Sequence, residues 1–288
     1  MFATILSVLL MGLLPVGGIS SGDQVALSRL AVSAPLPLLA SASVLMRLPS
    51  PLSASGILLT DLGSGQALFS VNARHRRPTG SLTKLMTALL IAEHHELSEV
   101  VTVPADVALT QGSVVHLVPG ERYTVGDLLT ALLVPSANDA AAALAVFHSG
   151  SRSAFVEAMN ERAGELGLRD TSYANPEGLD DPAQWSTPQD LTWLASFVLR
   201  RPELERRLSL SSAVIQSLGG REIALQTTNL LLRSNGPVVA GKTGTTDDAG
   251  QCLLTIVREG QREFVAVLLG SRERWADMRS LLAALPVL

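Results

Sequence analysis

Two lysines, Lys84 and Lys242, stand among twenty arginines in this 288-residue chain. A guanidinium keeps its proton inside a protein. An ammonium loses it when burial or a second cation disfavours the charge. Both lysines are therefore candidates for a titrating amine. Lys84 closes Ser81-Leu82-Thr83-Lys84, with Gly80 ahead of it. On a helix, positions i and i+3 share a face, so the Ser81 hydroxyl and the Lys84 amine would meet. A serine becomes a nucleophile when an adjacent base takes its proton, and a neutral lysine can be that base. A helix start also favours developing negative charge through its free N–H groups. Lys242-Thr243-Gly244 follows a β-like run, and Gly244 would let an extended ligand backbone lie close to a strand edge. Between the two sites, Ser136-Ala137-Asn138 offers a hydroxyl and an amide on a loop between helices. Ser-x-x-Lys and Ser-x-Asn are each common by chance. What sets these apart is that both lysines of the chain fall in such sites.

These side chains need elements to hold them. Gly56–Asp61 and Gln66–Val71 read as strands joined by the turn Leu62-Gly63-Ser64-Gly65. Helical periodicity covers Leu82–His95, Thr124–Val134, Asp139–His148, Ser153–Leu166 and Thr187–Leu199. Thr124 with Asp127 reads as an N-terminal cap, and Thr187-Pro188 as a cap followed by proline. Strand-like runs return at Val238–Ala240, Cys252–Arg258 and Glu263–Leu269, and Trp275–Leu285 closes the chain as a helix. The fold class is α+β: an antiparallel sheet shared by the N- and C-terminal strands, packed by helices, with a helical subdomain between them.

Composition narrows the function. Apolar residues make up 47% and charged residues 17%, enough for a packed core and unlike a disordered chain. A net charge of −4 argues against a nucleic-acid binder. The single cysteine, Cys252, excludes an intramolecular disulfide and a cysteine metal cluster. The five histidines show no ligand spacing, so neither metal nor cofactor is expected. Gly236–Thr243 matches the phosphate-loop pattern G-x4-G-K-[ST], but the context is wrong. Arg233-Ser234-Asn235 stands where a strand should precede it, and glycines follow where a helix should start.

The first 22 residues carry no charge, and Ile5–Val16 is an apolar run too short for a membrane span. A second candidate leader starts at Arg29, continues through Leu30–Leu39 and ends at Ala40-Ser41-Ala42. Residues 1–42 are read as a signal peptide or N-terminal anchor, 43–53 as a linker and 54–288 as one domain. Export is expected, with any membrane tether confined to the N-terminal segment.

In order, S-x-x-K, S-x-N and K-T-G form a set shared by penicillin-binding proteins and serine β-lactamases. From Ala54 onward the chain resembles the low-molecular-mass penicillin-binding proteins, the serine D-alanyl-D-alanine carboxypeptidases and endopeptidases. Pro78–Thr87, Ser136–Ala141, Asn175–Asp180, Thr228–Leu231 and Ala240–Leu253 each resemble a block of that family. The resemblance implies a β-lactamase/transpeptidase-like fold and an acyl-enzyme on Ser81, with Lys84 as base and Ser136 as proton relay. It implies that Asn138 binds the substrate amide and that Lys242, Thr243 and Gly244 line the site. The Ser81 and Thr245 N–H groups would form an oxyanion hole, and Arg274 would be an additional carboxylate partner. The implied substrates are peptidoglycan stem peptides ending in D-Ala-D-Ala, with β-lactams as inhibitors. Glu177 stands where the family usually has His; it reads first as a loop residue without a catalytic role, with a carboxylate that aids deacylation as the alternative. The larger carboxypeptidases carry a further β-rich domain and an amphipathic anchor. This sequence up to Leu288 shows neither, so carboxypeptidase and endopeptidase both stay open. A class A β-lactamase would have Asp in place of Ala137 and is disfavoured.

Overall fold

The computed structural model describes residues 50–234 and 236–285. The leader of residues 1–42 and most of the 43–53 linker lie outside them. The expected β-hairpin forms from β1 (Gly56–Asp61) and β2 (Ala67–Val71). It joins the C-terminal strands β7 (Val238–Thr246), β8 (Gly250–Glu259) and β9 (Arg262–Ser271) in one antiparallel sheet of order β2-β1-β9-β8-β7. β1 pairs with β9 from Gly56↔Leu269 to Asp61↔Phe264, so the two ends of the domain close on each other.

The sheet is covered on both faces, and β9 shows it by strict alternation. Phe264, Ala266 and Leu268 pack with Met278 and Leu281 of the last helix, α7 (Arg274–Ala283). Val265, Val267 and Leu269 turn into the core shared with the other helices. A strand has a side-chain period of two, so a run apolar at every position is one buried on both sides.

The helical part comprises α1 (Lys84–His94), α2 (Val125–Leu133), α3 (Asn138–Ser149), α4 (Arg152–Glu165), α5 (Pro188–Val198) and α6 (Pro202–Leu208). Every residue from Lys84 to Ile91 and from Asn138 to Ala145 is buried, as expected of central helices apolar all round. Local chemistry sets the ends. Thr124 and Asp127 make a reciprocal capping box, and Thr187 accepts from the Asp190 N–H ahead of Pro188. Such a cap typically contributes about 1 kcal/mol.

Two expectations are corrected, and some elements were not foreseen. Helix α1 begins at Lys84, because Gly80–Thr83 is a 3-10 turn started by Gly80 at φ +53°. β7 does not stop at Ala240 but runs on through Lys242-Thr243-Gly244 to Thr246. Its glycines make that segment a poor strand by propensity. They are nevertheless required: a Cβ on Gly241 would lie 2.5 Å from the Leu254 carbonyl oxygen of β8. The ribbons β3–β4 (Val100–Thr102, Arg122–Thr124) and β5–β6 (Ser212–Gln216, Glu222–Gln226), and helix α6, had too short or too mixed a pattern to be read. Among the described residues no helix is long and apolar enough to cross a membrane.

Candidate active site

The 3-10 turn presents Ser81 partly exposed, while Lys84 at the head of α1 is fully buried. Lys84 Nζ lies 3.0 Å from Ser81 Oγ. Two further atoms crowd the amine: Asn138 Oδ1 at 2.6 Å and the Glu177 carbonyl oxygen at 2.5 Å. The Asn138 amide is oriented by its other end, because Nδ2 donates to the Gln111 carbonyl at 2.6 Å. Both neighbours can only accept. A neutral amine has two N–H bonds and one lone pair. Asn138 and Glu177 take the N–H bonds, which leaves the lone pair for the Ser81 hydroxyl proton.

Burial makes this neutral form accessible. It brings the Lys84 pKa down to about 7, against the opposing pull of the Glu177 and Asp139 carboxylates. Burial also depresses Lys242 strongly, with the charges of Lys84 and Arg274 adding to it. For Lys84 the first cause is burial, and the like-charge penalty falls on Lys242.

The second half of the site is held by β7. Lys242 Nζ donates to Ser136 Oγ at 2.6 Å and to the Thr243 carbonyl at 2.8 Å. Ser136 has φ +66°, a left-handed conformation costly for a residue with a side chain and common at functional sites. Thr243 Oγ1 is 2.5 Å from Thr228 Oγ1.

Turn and strand meet at backbone contact. A Cβ on Gly80 would lie 3.0 Å from the Thr245 nitrogen, and one on Gly244 would lie 3.0 Å from the Ser81 nitrogen and 2.6 Å from the Thr79 carbonyl oxygen. Only glycine fits at either place. The approach brings the backbone of the Ser81 turn against the Gly244-Thr245 end of β7.

Arg274 is buried at the start of α7 rather than solvated. Its Nη1 donates to the Gly244 and Cys252 carbonyls at 2.8 and 2.9 Å, and its Nη2 donates to the Thr245 hydroxyl. It therefore braces the end of β7 and sits behind Thr245.

Eight of the nine residues singled out in the sequence thus lie on two facing supports, the Ser81 turn with the α3 start and the β7 edge, and the ninth, Arg274, reaches the second support from α7. The backbone carbonyl of Glu177, the Gln111 carbonyl and Thr228 Oγ1 were missed. A carbonyl is common to every residue, so no side-chain pattern could have marked the first two. Thr228 lay in a block noted only for its resemblance.

A serine hydroxyl 3.0 Å from a buried lysine amine, on an α+β scaffold with a K-T-G strand, is an arrangement that can support lysine-assisted acyl transfer. Comparison with known proteins gives the family. The family model of D-alanyl-D-alanine carboxypeptidase matches residues 44–273. The chain is 32% identical over 237 residues to D-alanyl-D-alanine carboxypeptidase DacF of Bacillus subtilis, covering 80% of this chain and 61% of that one. With DacC of Escherichia coli it shares 33% identity, covering 75% and 56% of the two chains. It spans about three-fifths of the length of these relatives. A crystal structure of a Streptomyces DD-transpeptidase superposes with a TM-score of 0.76 at 28% identity, covering 82% of this chain and 97% of the other. A penicillin-binding protein homologue of Mycobacterium tuberculosis gives 0.77 at 27% identity, covering 83% and 92%. The chain belongs to the D-alanyl-D-alanine carboxypeptidase family.

Proposed function

We propose that the protein is a penicillin-sensitive, serine-type D-Ala-D-Ala carboxypeptidase acting on peptidoglycan stem peptides outside the cytoplasm. The observation that carries this reading is the Lys84 environment: two acceptors for its two N–H bonds and Ser81 Oγ at 3.0 Å for its lone pair. Ser81 Oγ attacks the carbonyl carbon of the penultimate D-alanine while Lys84 takes its proton. The oxyanion so formed faces the Ser81 and Thr245 N–H groups, and each such donor typically contributes about 3 kcal/mol. The C–N bond then breaks. The leaving amine receives the proton held by Lys84, relayed through Ser136, and free D-alanine departs. Lys242 and Thr243 hold its carboxylate, and Arg274 keeps the Thr245 end of the strand in place. Water attacks the Ser81 ester with Lys84 again as base, releasing the shortened peptide and restoring the Ser81 hydroxyl. In a β-lactam the leaving nitrogen stays tethered to the acyl group, so the ester persists.

The test is labelling with a fluorescent penicillin alongside D-alanine release from a peptide ending in D-Ala-D-Ala. Label that survives denaturation and is lost in Ser81→Ala, with D-alanine released by the wild type, is the expected result. Equal labelling of Ser81→Ala would overturn the reading. Cleavage confined to cross-linked stem peptides would make the enzyme an endopeptidase, and rapid turnover of the drug without label would make it a β-lactamase. N-terminal sequencing of native protein tests the export reading. A mature start between residues 19 and 54 is expected, and an intact Met1 on cytosolic protein would exclude it.

A further inference from the structure

Glu177 is 1% exposed, although nothing in the Ser81 reaction as described uses its side chain. Its Oε1 lies 3.1 Å from Nη1 of Arg152 at the start of α4, an ion-pair contact without hydrogen-bond alignment. Arg152 is tied in turn to Thr110 Oγ1 at 3.0 Å and lies 3.6 Å from the Asp106 carboxylate. Removing a carboxylate from water is costly unless a cation accompanies it, so this pair needs a reason to persist. The reason lies in the backbone of the same residue, whose carbonyl accepts from Lys84 at 2.5 Å. The loop around it is pinned at neighbouring points. Thr87 Oγ1 of α1 donates to the Pro176 carbonyl, and the Gly178 and Leu179 N–H groups donate to Asn175 Oδ1. At Glu177 itself, the ion pair with Arg152 supplies the remaining anchor.

We propose that Glu177 is a positioning residue for the Ser81 reaction: its carboxylate, clamped by Arg152, holds the 175–180 loop so that its own carbonyl occupies one N–H of Lys84 and turns the lone pair onto Ser81. This rests on Ser81 being the nucleophile and Lys84 its base. Among the described residues the carboxylate contacts Arg152 and neither Ser81 nor Ser136, so it acts through Lys84 rather than on the reacting atoms. The charged groups around Lys84 are Glu177, Asp139 of α3 and Lys242 of β7. Those around Glu177 are Arg152 of α4, Lys84 of α1 and Asp106.

The experiment measures the second-order rate of acylation by a fluorescent penicillin across pH for the full chain and for Glu177→Gln, Arg152→Ala, Arg152→Lys and the Gln/Ala double variant. Misplacing a reacting group by an ångström costs on the order of 10²-fold. Glu177→Gln should therefore lower the high-pH plateau by roughly 10- to 100-fold. Its acid limb should also move to lower pH, because losing a carboxylate that favours the Lys84 ammonium lowers the Lys84 pKa. Arg152→Ala should lower the plateau, Arg152→Lys should recover most of it, and the double variant should be no slower than the slower single one. A wild-type plateau and limb in Glu177→Gln would overturn the proposal, as would single effects that multiply in the double variant. Unchanged acylation with slowed loss of label would overturn it too, making Glu177 a hydrolytic group. If Glu177→Gln fails to fold, Arg152 decides, since its side chain is 33% exposed: acylation by Arg152→Ala equal to wild type would refute the clamp. All these outcomes presuppose a wild type that labels on Ser81. Failure there overturns the proposed function and this inference with it, whereas a wild type that labels leaves the variants to test the inference alone.

Discussion

Replacing Gly178 with alanine puts the contact between the 175–180 loop and the nucleophile turn under direct strain. A Cβ on Gly178 would lie 2.2 Å from the Gly80 carbonyl oxygen, 2.6 Å from its carbon and 3.0 Å from the Ser81 Cα. Ordinary contact begins at 3.4 Å, so the two segments must part by 3.4 − 2.2 = 1.2 Å. Every atom met is backbone, so no side chain can rotate away. The loop carries the carbonyl that Lys84 bonds to, and the turn carries Ser81, so a shift of the loop breaks the 2.5 Å Lys84–Glu177 contact and a shift of the turn disturbs the 3.0 Å Ser81–Lys84 contact. A displacement of this size costs on the order of 10²-fold in rate. Gly178 also has φ +87°, and a non-glycine residue there carries about 1–3 kcal/mol of strain. That corresponds to a drop in Tm of roughly 2–12 °C for a domain of this size. The assay is acylation by a fluorescent penicillin, with thermal melting followed by circular dichroism. Gly150→Ala is the control. Gly150 has φ +77° with nothing within 4 Å of a Cβ, so it shares the conformational strain without the clash. Gly178→Ala acylating within a few-fold of wild type while folded would refute the reasoning, and so would an equal loss in Gly150→Ala.

Lys84→Arg keeps the charge and loses the base, so acylation should fall by roughly 10²- to 10⁴-fold; a rate near wild type would show Lys84 to be a structural cation. With the Lys84 pKa near 7, kcat/KM should rise through about pH 7 as the ammonium loses its proton, and a profile flat from pH 5 to 9 would contradict this. The same shift bears on stability. Below its ordinary value of 10.5 the unfolded Lys84 binds a proton that the folded one releases down to about 7, so Tm should climb with pH over that window in the wild type and less in Lys84→Met. Lys242→Ala should raise KM for D-Ala-D-Ala peptides, since a carboxylate contact is made in ground and transition states alike. Its acid limb should stay in place, because burial is the first cause of the Lys84 shift; a limb moved to higher pH would restore the coupling between the lysines.

Much of the site was legible before any coordinates. Ser81 and Lys84 are three apart, and one turn of helix brings such positions together whatever surrounds them. The Thr124–Asp127 box, the Thr187-Pro188 start and the β1–β2 hairpin likewise depend on neighbours in the chain, and each forms where the pattern places it. The blocks around Ser136 and Lys242 were recognisable as motifs, but their meeting was not. Ser136 and Lys242 are 106 residues apart in the chain and 2.6 Å apart in space, and only the sheet that closes the domain on itself makes that contact.

The sequence by itself therefore determined the candidate nucleophile and its candidate base, the family resemblance and the α+β class, since these rest on residue identity and short-range geometry. The tertiary structure decided what those residues experience. Burial of Lys84 lowers its pKa, and burial is a property of everything packed around α1 rather than of Ser-Leu-Thr-Lys. The acceptors that leave the Lys84 lone pair free come from residues 138 and 177, one of them a backbone carbonyl that carries no signature in the chain. From the sequence, Arg274 is legible only as a carboxylate partner implied by the resemblance. Placed under β7, its desolvated guanidinium finds carbonyl partners on β7 and β8, 30 and 22 residues away in the chain. Electrostatics and desolvation depend on three-dimensional distance, and the fold alone sets that distance.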